Sequence, residues 1–184
     1  MREIEVKARV ENLETIIDAL KAQGVQASEP VRQHDVVYGV RGVPGDSENS
    51  EPWLRIRTET KGDSTTHYFT LKKSVTNQLD SIEHETTVGD DAELEHIIKH
   101  LNFELYSDLT KTRQKAYVGE IEICLDHVDG LGYFIEAEKL TADEVDYATV
   151  VSELWAILES IGVSQKNEIT DGYDVLMNKQ LAKA

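Results

Sequence analysis

Glu3-Ile4-Glu5-Val6-Lys7 is the stretch on which the fold turns: each odd residue is charged and each even one apolar. Side chains of a β-strand alternate between two faces, so this run predicts a strand over residues 2–10 with one charged surface and one that must be covered. The same writing returns along the chain. Arg55 and Arg57, Glu83 and Glu85, Lys111 and Arg113, Glu120 and Glu122, and Glu136 and Glu138 are like-charged pairs two residues apart. Leu54 and Ile56, Ile121 and Ile123, and Ile135 and Ala137 supply the apolar alternate positions.

Working outward, similar runs predict strands over 31–39, 53–59 and 66–73, around Glu83 and Glu85, and over 105–118, 119–126 and 133–139. Two helices interrupt them. Asn12 precedes Leu13, Ile16, Ile17 and Leu20, which share one helical face before Gly24 ends it; Asp90 and Glu93 form a capping box ahead of Leu94, Ile97, Ile98 and Leu101. The stripe repeats after about eighty residues, so the chain reads as two β-α-β-β-β halves. Two four-stranded sheets, each apolar on one face and charged on the other, satisfy both by closing with the charged faces inward and helices outside. The expected fold class is therefore α+β, an eight-stranded antiparallel β-barrel, and the whole of 1–184 is expected to form one domain.

Thr141 and Glu144 predict the start of a third helix over 141–162. Its stripes, Val150, Leu154, Ile157 and Ile161 against Ala148, Val151, Trp155 and Leu158, predict packing on two sides. A short last helix is expected over 171–181, with Tyr173, Leu176 and Met177 on one face. Residues 41–52 carry loop chemistry throughout and are expected to be a mobile connection.

Composition narrows the function. The chain has 184 residues, 40% hydrophobic and 29% charged, with a net charge of −16. Such acidity repels nucleic-acid backbones and anionic lipid, so neither nucleic acid nor membrane is an expected partner. Cys124 is the single cysteine; it excludes an intrachain disulfide and a cysteine-built zinc cluster, and buried packing is its expected role. The N-terminus runs straight into a charged strand without a basic and apolar leader, which predicts a soluble, cytoplasmic protein.

The charged register collects Lys7, Arg9, Arg55, Arg57, Lys72, Lys111, Arg113 and Lys115, with Glu3, Glu5, Glu59, Glu83, Glu85, Glu120, Glu122, Asp126, Glu136 and Glu138. Grouped guanidinium and ammonium groups suit phosphate oxygens, and grouped carboxylates suit Mg²⁺ or Mn²⁺. The plain alternative is a face of ion pairs between neighbouring strands, turned to solvent. Sorting by sign weighs against it, because like charges adjacent on one strand repel unless a counter-charge lies between them.

The runs Glu3-Ile-Glu-Val-Lys7, Leu54-Arg-Ile-Arg57, Thr70-Leu-Lys72, Glu83-His-Glu85, Lys111-Thr-Arg113, Leu125-Asp126 and Ile135-Glu-Ala-Glu138 resemble, in this order, the CYTH family, also called triphosphate tunnel metalloenzymes. Gly119-Glu-Ile-Glu-Ile-Cys-Leu-Asp126 and Val128-Asp-Gly-Leu-Gly-Tyr-Phe-Ile-Glu-Ala-Glu138 resemble its class IV adenylyl cyclase group. The resemblance spans about residues 2–177. It implies a barrel whose hydrophilic tunnel holds a triphosphate and a divalent metal. Lys7, Arg55, Arg57, Lys72, Lys111 and Arg113 match the family's phosphate-binding positions, and Glu3, Glu5, Glu136 and Glu138 its metal-binding ones. Asp126 matches an acidic tunnel residue, and Lys7, Lys111, Arg113 and Asp126 become the catalytic candidates. Glu83, Glu85 and Glu122 are expected to support the metal side.

Three functions are open, two of them activities that the resemblance implies and one from another class. The first is cyclisation of ATP to cyclic AMP and pyrophosphate; the second is hydrolysis of inorganic, thiamine or nucleoside triphosphate. The third is binding of a polyphosphate or nucleotide without turnover. A homodimer is also implied. His96 and His100, i and i+4 on a helix, lack a third ligand and read as polar helix surface. Gly130-Leu-Gly132 leads into a strand instead of a helix, which excludes a dinucleotide-binding turn.

Overall fold

The computed structural model describes residues 1–43, 51–142 and 144–183. Eight strands are joined in the expected order: β1 (Arg2–Val10), β2 (Val31–Val40), β3 (Trp53–Lys61), β4 (Ser64–Asn77), β5 (Asp80–Val88), β6 (Phe103–Val118), β7 (Ile121–Val128) and β8 (Gly132–Thr141). Helix α1 (Glu14–Ala22) follows β1 and α2 (Asp91–His100) follows β5, so the β-α-β-β-β pattern occurs twice; α3 (Tyr147–Ser160) and α4 (Tyr173–Leu181) complete the chain. The strands form a closed barrel in the order β1-β5-β4-β3-β2-β6-β7-β8.

The chain divides into two compact units. The first comprises Met1–Val31 and Thr112–Thr170, the second Arg32–Lys111 and Asp171–Ala184. In the first, alternation sends Ile4, Val6 and Ala8 of β1, Ile121, Ile123 and Leu125 of β7, and Ile135 and Ala137 of β8 to one side. There they pack with Ile16 and Leu20 of α1 and Val150, Leu154, Trp155 and Leu158 of α3. Burying such side chains stabilises by about 1.5–3 kcal/mol each, which fixes strand register because a one-residue slip would expose the whole set. In the second unit Tyr38, Leu54, Ile56 and Ile98 form the buried core, joined by Val36, Phe69, Leu71, Leu94 and Phe103.

Helix starts follow their caps. The Asn12 carboxamide oxygen accepts from the Thr15 amide at 3.1 Å, and Asp90 accepts from the Glu93 amide at 2.9 Å. The third helix departs from expectation. Thr141 ends β8, and the cap is Asp146, which accepts from the Thr149 amide at 3.0 Å, so the helix spans Tyr147–Ser160 and not 141–162. Its expected second covered stripe is also incomplete, because Ala148 is exposed while Val150, Leu154, Trp155 and Leu158 are buried. The last helix begins at Tyr173, after Asp171 and Gly172, and buries Tyr173 and Val175 where Leu176 and Met177 were expected beside Tyr173.

The 119–126 strand begins later, at Ile121, since Gly119, with φ of 61°, and Glu120 make the turn before it. Glu120 is accordingly exposed and leaves the charged face. Within the expected connection 41–52, residues 44–50 lie outside the described residues. Among the described residues no helix is long and apolar enough to cross a membrane.

Candidate active site

In the first unit, strand register lines the charges up in rows. Glu5 of β1 lies opposite Glu138 of β8, and Glu138 opposite Glu122 of β7, so three carboxylates cross three adjacent strands. The next row reads Lys7, Glu136, Cys124. Like charges directly opposite destabilise a sheet, so such a row marks a place where positive charge is needed.

Part of that charge is supplied by the chain. The Lys7 ammonium sits 3.0 Å from Glu5 and 3.1 Å from Glu136, almost fully buried. Burial alone would lower its pKa, but the Glu5 and Glu136 carboxylates outweigh it and hold the lysine charged. Arg113 of β6 forks onto Asp126, with Nε to Oδ1 at 2.8 Å and Nη2 to Oδ2 at 2.5 Å. It also donates to Glu136 and reaches Glu138 at 3.5 Å. Asp126 has no exposed surface and this bidentate pairing fixes the guanidinium plane.

Negative charge still prevails around Glu138. Burial, then Glu3, together with Glu136 and Glu5, pushes its carboxyl up to about 8 against the opposing effect of Arg113. Glu5, Glu136 and Glu138 bring ligand atoms within 4.8 Å of one another. This all-oxygen donor set fits a hard divalent ion such as Mg²⁺ or Mn²⁺, and the raised Glu138 identifies a cluster short of positive charge.

Glu122 stands beside that cluster, its ligand atom within 4.8 Å of those of Glu138 and Cys124. It accepts from the Lys115 ammonium at 2.6 Å, from the Tyr117 hydroxyl at 2.6 Å and from the Cys124 thiol at 3.3 Å. Cys124 itself is wholly buried as expected, and burial pushes its thiol up, leaving it protonated. Arg9, at the end of the same register, lies 4.5 Å over the Phe134 ring and donates to the Leu131 carbonyl at 2.6 Å.

In the second unit, Arg57 of β3 forks onto Asp35 of β2, both bonds at 2.7 Å and both residues buried. Burial opposes ionisation of Asp35, yet Arg57, with help from Arg55 and Lys111, holds its carboxyl well below the usual carboxylate range. Arg55 donates to the Thr70 hydroxyl at 3.2 Å and approaches Glu85 at 3.5 Å, while Thr70 donates to Glu85 at 2.8 Å. Lys72 pairs with Glu83 and lies 5.4 Å from the Trp53 ring centre. Lys111, 3% exposed, lies 5.0 Å from the ring centre of Tyr173 on α4. Glu83 and Glu85 are thus partners of basic residues within this unit.

Asp35 and Tyr173 are not among the site candidates that the sequence offers, and Thr70 enters there only as part of the run Thr70-Leu-Lys72. For Asp35 the signal was present, since it lies two residues from Gln33 on one face of β2, but Val37 follows on that same face and blurs the alternation. Tyr173 had no local signal, because a helix residue reaches Lys111 only through tertiary packing. His96 and His100 are exposed on α2, and among the described residues neither joins a metal-capable group.

A closed barrel with acid and base sorted into rows on its strands defines a class of protein, and the comparison with known families agrees. The CYTH domain profile matches residues 1–173, and the chain belongs to the CYTH family. A Methanocaldococcus jannaschii protein provisionally named an adenylate cyclase, MJ0240, is 27% identical over 173 residues, covering 94% of this chain and 97% of the relative. The PH1819 protein of Pyrococcus horikoshii superposes with a TM-score of 0.80 at 25% identity, over 96% of this chain and 99% of that one. A Hippeastrum protein first assigned as an adenylyl cyclase, and described as having a dominant triphosphatase activity, shares the fold with a TM-score of 0.59 at 16% identity. The alignment covers 93% of this chain and 90% of that one.

Proposed function

We propose that the protein is a divalent-metal-dependent enzyme acting on a triphosphate, of the class IV adenylyl cyclase kind, forming cyclic AMP and pyrophosphate from ATP. The observation that carries the reading is the cluster Glu5, Glu136 and Glu138, whose ligand atoms lie within 4.8 Å of one another, beside buried Lys7 and Arg113. Carboxylates gathered at that density call for a cation, and the neighbouring bases suit its anionic companion.

Glu5, Glu136 and Glu138 would hold the metal, with Glu3 adding negative charge nearby. A divalent ion bound there supplies polarisation of a phosphoryl oxygen. The chain's own groups do the rest. Lys7 and Arg113, kept charged by their carboxylate neighbours, stabilise negative charge that builds on the phosphates as the leaving group departs. Asp126 keeps the Arg113 fork in one orientation, so no reorganisation is needed during reaction. The resemblance assigns phosphate contacts to Arg55, Arg57, Lys72 and Lys111 as well. Asp35 orients Arg57 as Asp126 orients Arg113.

A second reading, hydrolysis of the terminal phosphate, is favoured by the Hippeastrum protein's described activity. It requires the same binding groups, with water in place of the ribose hydroxyl as nucleophile. Incubation of purified protein with Mg²⁺ or Mn²⁺ and either ATP or inorganic triphosphate separates them. Cyclic AMP with pyrophosphate supports cyclisation, orthophosphate supports hydrolysis, and binding without product leaves a non-catalytic module.

A further inference from the structure

Gln33 of β2 is 2% exposed and stands directly opposite Glu59 of β3, to which its Nε2 donates at 2.8 Å. A carboxylate accepts only, so this bond fixes the amide: the nitrogen faces Glu59 and the carbonyl oxygen points elsewhere. That oxygen, Oε1, is buried and has no hydrogen-bond partner among the described residues. A buried acceptor left unmet is destabilising, so its retention calls for a donor from outside the chain.

Its surroundings are those of the proposed phosphate contacts. Gln33 and Asp35 share one face of β2, and Asp35 carries the Arg57 fork. On the neighbouring strand β6, Ser107 is 4% exposed and its Oγ is another buried atom without a hydrogen-bond partner among the described residues. Ser107 shares a face with Lys111, whose charge acts on Asp35. On the opposite face His34 and Asp108 meet at 2.7 Å, so Gln33 and Ser107, next to them in sequence, flank the same junction of β2 and β6.

Phosphate oxygens are acceptors and cannot satisfy a carbonyl. We infer that Gln33 is a specificity residue whose Oε1 accepts a hydrogen bond from an amino or hydroxyl group on the non-phosphate part of the substrate, with Ser107 contributing beside it. The substrate is then an organic triphosphate such as a nucleoside triphosphate, and inorganic triphosphate is the poorer ligand. The inference rests on the triphosphate reading above and adds to it the side chain that recognises the non-phosphate part.

The test is a ligand-by-variant cycle. Affinities for ATP, inosine triphosphate, 2′-deoxy-ATP and inorganic triphosphate are measured with Mg²⁺ for the wild type, Gln33→Met and Ser107→Ala. Inosine triphosphate lacks the exocyclic amine and 2′-deoxy-ATP lacks one hydroxyl. The expected result is a wild-type preference for ATP over inorganic triphosphate that falls in Gln33→Met by on the order of 3–10-fold, the worth of one neutral hydrogen bond. The analogue missing the relevant donor binds the wild type weakly by a similar factor, and Gln33→Met no longer distinguishes it from ATP. Should Gln33→Met fail to fold, the same loss of preference in Ser107→Ala decides. All four ligands changing by one common factor, or a wild type that prefers inorganic triphosphate, overturns the inference while leaving the triphosphate reading intact. A wild type that binds none of the four overturns both.

Discussion

Replacing Glu138 by glutamine tests the carboxylate row directly. Burial, with the charges of Glu3, Glu136 and Glu5, pushes the Glu138 carboxyl up to about 8 from an ordinary 4.5 by disfavouring its ionised form. A folded-state pKa raised above the unfolded one means the native state holds the proton more tightly. That contribution is complete below pH 4.5 and is lost as pH rises through 8. Between pH 4.5 and 7, at about 1.4 kcal/mol per pH unit, the loss is on the order of 3 kcal/mol. For a chain of this length it corresponds to about 6–12 °C in melting temperature. Glutamine imitates the protonated acid and carries no such loss. Thermal unfolding of both proteins in chelator should therefore give similar melting temperatures at pH 4.5 and a gap opening in favour of Glu138→Gln toward pH 7. Added Mg²⁺ should raise the wild type and close the gap, with a smaller effect on the variant. Parallel pH profiles, or equal Mg²⁺ stabilisation of both, would refute the assignment of this row to a metal.

Other perturbations follow from the same geometry. Glu5→Ala and Lys111→Ala should each lower turnover by about 10²–10³-fold, the scale for removing a group that acts on transition-state charge; initial rates at saturating metal and ATP measure it. Asp35→Ala leaves the buried Arg57 without its fork and should cost about 3–5 kcal/mol at pH 7, read from urea midpoints. Since the Asp35 carboxyl is held below its ordinary range, its stabilisation is present above about pH 4 and fades as pH falls further. The gap between wild type and Asp35→Ala should narrow on acidification. Tyr173→Leu removes the ring 5.0 Å from the Lys111 ammonium and should weaken triphosphate binding, whereas Tyr173→Phe, which keeps the ring, should not; isothermal titration distinguishes them.

Alternation made the strands and their charged faces legible, because Glu3-Ile-Glu-Val-Lys7 or Ile135-Glu-Ala-Glu138 can bury only one side. The two cappings at Asn12 and Asp90 were legible for a similar reason, each being a contact within one turn. The start of α3 was not: Thr141 and Asp146 are both residue types that cap a helix, and the demands of β8, which runs to Thr141, chose between them.

What the sequence by itself determined was which residues share a face, since that depends only on a two-residue period. Which charge meets which was decided by tertiary structure. Glu5 reaches Glu138, and Arg57 reaches Asp35, only through the register of strands separated in the chain. Register is set by burial of the apolar face and not by the charges that it brings together. The pairing of Asp126 with Arg113, the raised Glu138 and the unmet Gln33 carbonyl therefore became visible only once the strands were side by side.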